Sequence, residues 1–218
     1  MKTAIKFFFS KDFVKGWNIF KLMVLTCGTL NASDIDMQKL IGAGNKVTAQ
    51  VETAEYQWIG TENGIYRICK KNDKVAHITT ANSCLPDNKI TCMAARGNGE
   101  VFAGTAGGIL RYDGFAFLKI TTENSKLPSN NISGLACDQY DMIWVGTADY
   151  GIATIENNRI KTLNTSNSSL QSNKVCKVYL SRKGCITVVL PYDAIMVWQN
   201  NQFVLPIGYN VENDVAIK

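Results

Sequence analysis

The chain has 218 residues, of which 46% are apolar and 19% charged, with a formal net charge of +5; a chain of that length can bury its own core without a disulfide or metal staple. The first 32 residues hold Lys2, Lys6, Lys11, Lys15 and Lys21 against Asp12, a surplus of +4 that leaves the remainder at +1. A body so close to neutral argues against nucleic acid, which requires a concentrated basic face.

Residues 1–32 read as a signal peptide: basic residues, a short apolar run from Leu22 to Leu30, then the small residues Ala32 and Ser33. The run is too short for a hydrocarbon core of roughly 30 Å. Two other readings stay open, an N-terminal helix and an uncleaved anchor extended back through Phe13, Val14, Trp17, Ile19 and Phe20. Val24-Leu25-Thr26-Cys27 also bears a faint likeness to a lipidation site. The location expected from this segment is periplasmic or otherwise exported. Residues 33–45 form a polar lead-in without clear period.

Four units follow, near 46–87, 88–130, 131–173 and 174–212. Each holds several short runs rich in β-branched and aromatic residues, separated by Gly, Asn and Asp turns. The first three share a phrase: Trp58-Ile59-Gly60-Thr61 before Gly64-Ile65, Phe102-Ala103-Gly104-Thr105 before Gly108-Ile109, and Trp144-Val145-Gly146-Thr147 before Gly151-Ile152. Its glycine recurs after 44 residues and again after 42. A period in the low forties with several strands per unit predicts an all-β fold, a β-propeller of about four four-stranded antiparallel blades. The fourth unit is worn, with Thr187-Val188-Val189-Leu190 where the phrase should stand. Residues 213–218 resemble the start of a fifth repeat or a closing strand.

The connectors repeat as well: Asn82-Ser83-Cys84-Leu85-Pro86-Asp87-Asn88-Lys89-Ile90, Asn124 to Ile132, and Asn167 to Val175. Each leucine is expected to plug a seam between blades, and Pro86 and Pro128 to stiffen the crossover. Over residues 46–205 the two motifs together resemble the two-component regulator propeller repeat. That resemblance implies the extracytoplasmic sensor part of a hybrid histidine kinase. The expected function is binding of a small ligand, a glycan fragment among the candidates, or of a protein partner, with a sensor kinase as one candidate partner. Such receptors carry many more blades, a membrane span and kinase modules. The run here stops at Lys218, so the expectation is a remnant of a longer receptor or a propeller closed by self-association.

Trp58, Phe102 and Trp144 are expected to pack between sheets, and Gly60, Gly104 and Gly146 to let neighbouring backbone approach closely. Turns between the second and third strands should share one face with the connectors. The candidate ligand-binding residues there are Glu62, Asn63, Asp149, Tyr150, Tyr192 and Asp193, since the tyrosines offer stacking area and the polar groups hydrogen bonds. No catalytic set, cofactor or metal site is expected. His77 is the sole histidine, and the cysteines lack the paired spacing of a zinc site. Cys92 and Cys176 fall on apolar runs and read as buried thiols. An alternative function is a propeller lyase or glycosidase built on the acids Glu62, Asp149 and Asp193.

Overall fold

The computed structural model describes Gly42 and residues 45–206. The signal peptide read over 1–32 and the closing segment 213–218 lie outside them. The first sheet holds β1 (Val47–Glu52), β2 (Tyr56–Thr61), β3 (Gly64–Cys69) and β4 (Val75–Ile78). The second holds β5 (Cys92–Ala95), β6 (Val101–Thr105), β7 (Gly108–Tyr112) and β8 (Phe117–Ile120). The third holds β9 (Ile132–Cys137), β10 (Ile143–Thr147), β11 (Ile152–Glu156) and β12 (Arg159–Leu163). The fourth holds β13 (Lys177–Leu180), β14 (Ile186–Val189), β15 (Ile195–Gln199) and β16 (Gln202–Val204). Within each sheet the strands are antiparallel and lie in chain order. The fold is an all-β propeller.

The repeated phrase does specific work. Thr61, Thr105 and Thr147 are fully buried. Their hydroxyls donate to the carbonyls of Gly64, Gly108 and Gly151 at 2.8–2.9 Å and accept the amides of Asn63, Gly107 and Tyr150. The turn so closed ends on a residue of positive φ, three residues after the threonine in the first two sheets and four in the third, met by Gly64, Gly108 and Gly151 with φ of 107°, 126° and 84°. The glycine before each threonine serves the connector. A Cβ on Gly60 would lie 2.7 Å from Ile90 Cγ2, and one on Gly104 would lie 2.6 Å from Ile132 Cγ2. On Gly146 it would meet Val175 Cγ1 at 2.8 Å. These glycines therefore make room for a side chain, the last of each connector motif, and not for backbone.

The recurring serine, asparagines and leucine of the connector motif also have partners. Ser83, Ser125 and Ser168 donate Oγ–H to the carbonyls of Thr79, Thr121 and Asn164 at 2.6 Å. Asn82, Asn124 and Asn167 accept the amides of those same three residues at 2.8 Å. Asn88, Asn130 and Asn173 accept the amides of Thr80, Thr122 and Thr165 at 2.9 Å. Leu85, Leu127 and Leu170 are buried in the seams. Side-chain amides thus satisfy backbone donors that have no ladder partner.

Among the described residues the core falls into three clusters, one per seam. Trp58, Ile65, Leu85, Ile90 and Leu110 fill the first. Phe102, Ile109, Leu127, Ile132 and Val145 fill the second. Trp144, Leu170, Val178, Val188 and Met196 fill the third. Trp58, Phe102 and Trp144 are buried, so the shared aromatic is core and not a stacking platform. At the third seam Trp144 lies 5.0 Å from the Trp198 ring and 6.4 Å from Phe203, and its indole N–H donates to Asp138 Oδ2 at 2.9 Å.

Candidate functional site

The turns between the second and third strands lie against the connectors. Gly64 donates its amide to Asn88 O and Gly151 to Asn173 O, each at 2.7 Å, and Ala148 donates to Asn131 O at 3.0 Å. The turns holding Glu62, Asn63, Asp149 and Tyr150 therefore lie on the connector face, and Tyr192 and Asp193 occupy the same position, between the second and third strands, in the fourth sheet. Glu62 lies 3.9 Å from Lys89 Nζ, with both side chains largely exposed, a pair worth little. The Asn63 carbonyl contacts His77 Nε2 at 2.8 Å, and that imidazole stacks on Tyr66 at 4.2 Å. Tyr150 is 58% exposed and follows Asp149 on the turn closed by Thr147.

The fourth turn is built differently. Leu190 replaces the closing threonine and Ala194 the left-handed glycine, with Leu190 N–H donating to Ala194 O at 2.8 Å. Pro191–Asp193 form the turn itself, in which Tyr192 has the non-helical φ 61° and ψ 30°, and Asp193 has φ 57°. Left-handed backbone is rare for a bulky residue, and the consequence is a Tyr192 ring held fully in solvent. Tyr150 and Tyr192 thus project from neighbouring sheets. Among the described residues, no hydrogen bond or ion pair joins the site residues of one turn to those of another.

Three features escaped the sequence reading. A cavity of about 460 Å³ lies at the other end of the fourth sheet, lined by Ser181, Lys183, Cys185, Val197, Gln199 and Leu205 among others. Arg96, Glu100 and Arg111 form a buried cluster at the second seam. Arg67 sits among four rings at the first seam. The repeated Gly-Ile-x-Arg of Gly64–Arg67 and Gly108–Arg111 was the signal for the last two.

Cys176 is exposed and precedes β13, donating its amide to Val189 O at 2.8 Å. It is not the buried strand residue its apolar neighbours suggest. Cys92 does lie on a strand, β5, and is half-buried; burial pushes its thiol up to about 12, against smaller opposing hydrogen bonds involving Thr91 and Gly104. Burial and then the charges of Asp141 and Asp138 push Cys137 up to about 11. Neither thiol forms much thiolate near neutral pH. Among the described residues, no helix is long and apolar enough to cross a membrane.

Residues 126–149 match the family model of the two component regulator propeller. The stretch runs from the second connector through β10 into the turn carrying Asp149, so both repeated motifs are represented in it. No curated protein matches the chain. Among solved structures, the chain is similar to the extracellular domain assigned to a hybrid two component system of B. thetaiotaomicron. Identity there is 20% and the TM-score 0.55, over 77% of this chain and 23% of that one. It is also similar to a catalytically inactive virginiamycin B lyase from Staphylococcus aureus solved with quinupristin, at 16% identity and TM-score 0.56, over 73% of this chain and 55% of the lyase. A computationally designed protein, Ika4, aligns at 14% identity and TM-score 0.51, over 72% of this chain and 92% of the design. At these identities the likeness is one of fold. The chain spans only 23% of the first structure and 55% of the second.

Proposed function

We propose that this chain is an exported, non-enzymatic β-propeller that recognises a small ligand, an oligosaccharide foremost, through the turns of its connector face. The observation that carries the reading is Tyr192, whose ring a left-handed turn holds in solvent, with Tyr150 on the adjoining sheet and a carboxylate, Asp193 or Asp149, next to each. An exposed ring stacks on the apolar face of a pyranose, while carboxylates and phenol hydroxyls bond its hydroxyls. The extracellular setting of the B. thetaiotaomicron structure supports export and a sensing role; passing a signal on would then require a sensor kinase as partner. Lyase or glycosidase chemistry would need two acids facing one bond. Glu62, Asp149 and Asp193 stand on the turns of three different sheets, and Glu62 faces Lys89, which favours recognition over catalysis.

Calorimetric titration of the whole chain with a panel of oligosaccharides tests this. Saturable heat is expected for at least one class, weakened about tenfold in Tyr192→Ala and in Tyr150→Ala, the loss of one stacking contact of about 1.4 kcal/mol. Both side chains are solvent-facing, so the melting temperature should not move. A panel without a binder, or variants that bind as the parent does, would overturn the reading.

A further inference from the structure

The guanidinium carbon of Arg67 lies 4.7 Å from the ring centre of Tyr56, 5.4 Å from Trp58, 5.3 Å from Tyr112 and 5.8 Å from Phe117. All four are within cation–π range. Rings attract the cation through its faces; its in-plane N–H donors are left to seek acceptors. Among the described residues Arg67 forms no ion pair. The Tyr112 hydroxyl donates to Gly114 O at 2.7 Å and can still accept from one Arg67 N–H, which lies within its reach; no carboxylate among the described residues takes the other in-plane donors.

The second sheet shows what is missing. Arg111 pairs across from Phe102 as Arg67 pairs across from Trp58, and there the Glu100 carboxylate takes its donors. Glu100 stands two residues before Phe102; Tyr56 stands two before Trp58. A second acceptor is lost nearby. The Trp144 indole N–H donates to Asp138, but the first sheet has Thr53 at the corresponding turn position. The Trp58 indole N–H is accordingly buried without a partner. Two carboxylates that the repeat supplies elsewhere are absent from this seam, leaving a cation and a buried donor. The charge of Glu55 reaches Tyr112 yet makes no ion pair with Arg67.

We propose that this seam is a receptor for a small organic carboxylate. Its oxygens take the in-plane donors of Arg67, a bidentate geometry that suits guanidinium, and its apolar body lies against the half-buried rings of Tyr56 and Phe117. The site is at the start of β2, the opposite end of that strand from Glu62 and Asn63. Its failure would therefore leave the oligosaccharide reading untouched.

Benzoate, with neutral benzamide as its control, probes the site in the whole chain. The readout is the Trp58 indole N–H resonance, assigned by a Trp58→Phe variant. Benzoate should shift it saturably, with benzamide about tenfold weaker because the charge-assisted bonds are lost. Arg67→Met should abolish the shift and Arg67→Lys weaken it. Should Arg67→Met not fold, Tyr56→Glu decides: it installs the carboxylate of the second sheet, and should suppress the benzoate response while raising the melting temperature. Equal responses to benzoate and benzamide, no response to either, or an undiminished response in Tyr56→Glu would each overturn the proposal.

Discussion

Glu100→Gln should lower the unfolding free energy by about 3 kcal/mol, because it leaves two buried cations without their shared counter-ion. Arg96 Nη1 lies 2.6 Å from Glu100 Oε2, and Arg111 Nη2 bonds the other carboxylate oxygen; the three side chains are 8%, 15% and 9% exposed for Arg96, Arg111 and Glu100. The pair also ties the second sheet to the third. Arg96 Nη2 donates to Ile155 O at 2.8 Å, and Arg111 Nη1 donates to Asn158 Oδ1. Both guanidinium groups lie over the Phe102 ring, at 5.1 and 5.8 Å. Each already has an unpartnered buried Nε, so the cluster has no spare acceptor to offer.

The pH dependence has a definite sign. Burial would raise the Glu100 carboxyl, but hydrogen bonds from Arg111 and Arg96 and their charges outweigh it and hold it below the ordinary range. A depressed folded value means the contribution is complete above the unfolded glutamate value of about 4.3 and is lost as pH falls from there through the folded value. Urea unfolding at neutral and acidic pH should show the gap between parent and Glu100→Gln narrowing on acidification. A variant as stable as the parent at neutral pH would contradict the assignment.

Gly134→Ala should cost a similar amount, about 3 kcal/mol, at the upper end for overpacking. Gly134 lies on β9 opposite Gly146. A Cβ there would overlap the backbone nitrogen of Val178 and sit 3.2 Å from Lys177 C and Val178 Cα. These are backbone atoms of β13, so relief requires the third and fourth sheets to separate and open the core around Trp144, Val188 and Met196. Gly146→Ala is the comparison. Its Cβ would meet side-chain carbons, Val178 Cγ2 at 2.7 Å and Val175 Cγ1 at 2.8 Å, which can rotate, and a loss of about 1 kcal/mol is expected. Equal midpoints in urea for the two variants would show that β9 and β13 are not in backbone contact.

The propeller was legible because its motifs act locally. A threonine that closes its own turn, a serine and an asparagine that bond the chain three to five residues away, and a leucine that fills the adjoining seam recur at a fixed period whatever the tertiary context. What each glycine makes room for was not legible, since Ile90, Ile132 and Val175 enter from the following connector. The Arg96–Glu100–Arg111 cluster was hidden for the same reason: its bonds to Ile155 and Asn158 span 59 and 47 residues. At the candidate site, the exposed tyrosines could be named from the turn positions alone. The left-handed backbone of Tyr192 could not, because no glycine or asparagine announces it; closure of the β14–β15 hairpin imposes it.

The radial arrangement of the sheets is tested most directly by proton–proton cross-relaxation among the aromatic rings in solution. Stacked blades place Trp58 5.1 Å from Tyr112 and Trp144 5.0 Å from Trp198, so cross-peaks are expected within each of these pairs, each of which spans one seam. Cross-peaks from Trp58 to Trp144 or Trp198 would bring the first sheet face to face with the third or fourth, as in a two-layer sandwich, and would contradict the propeller.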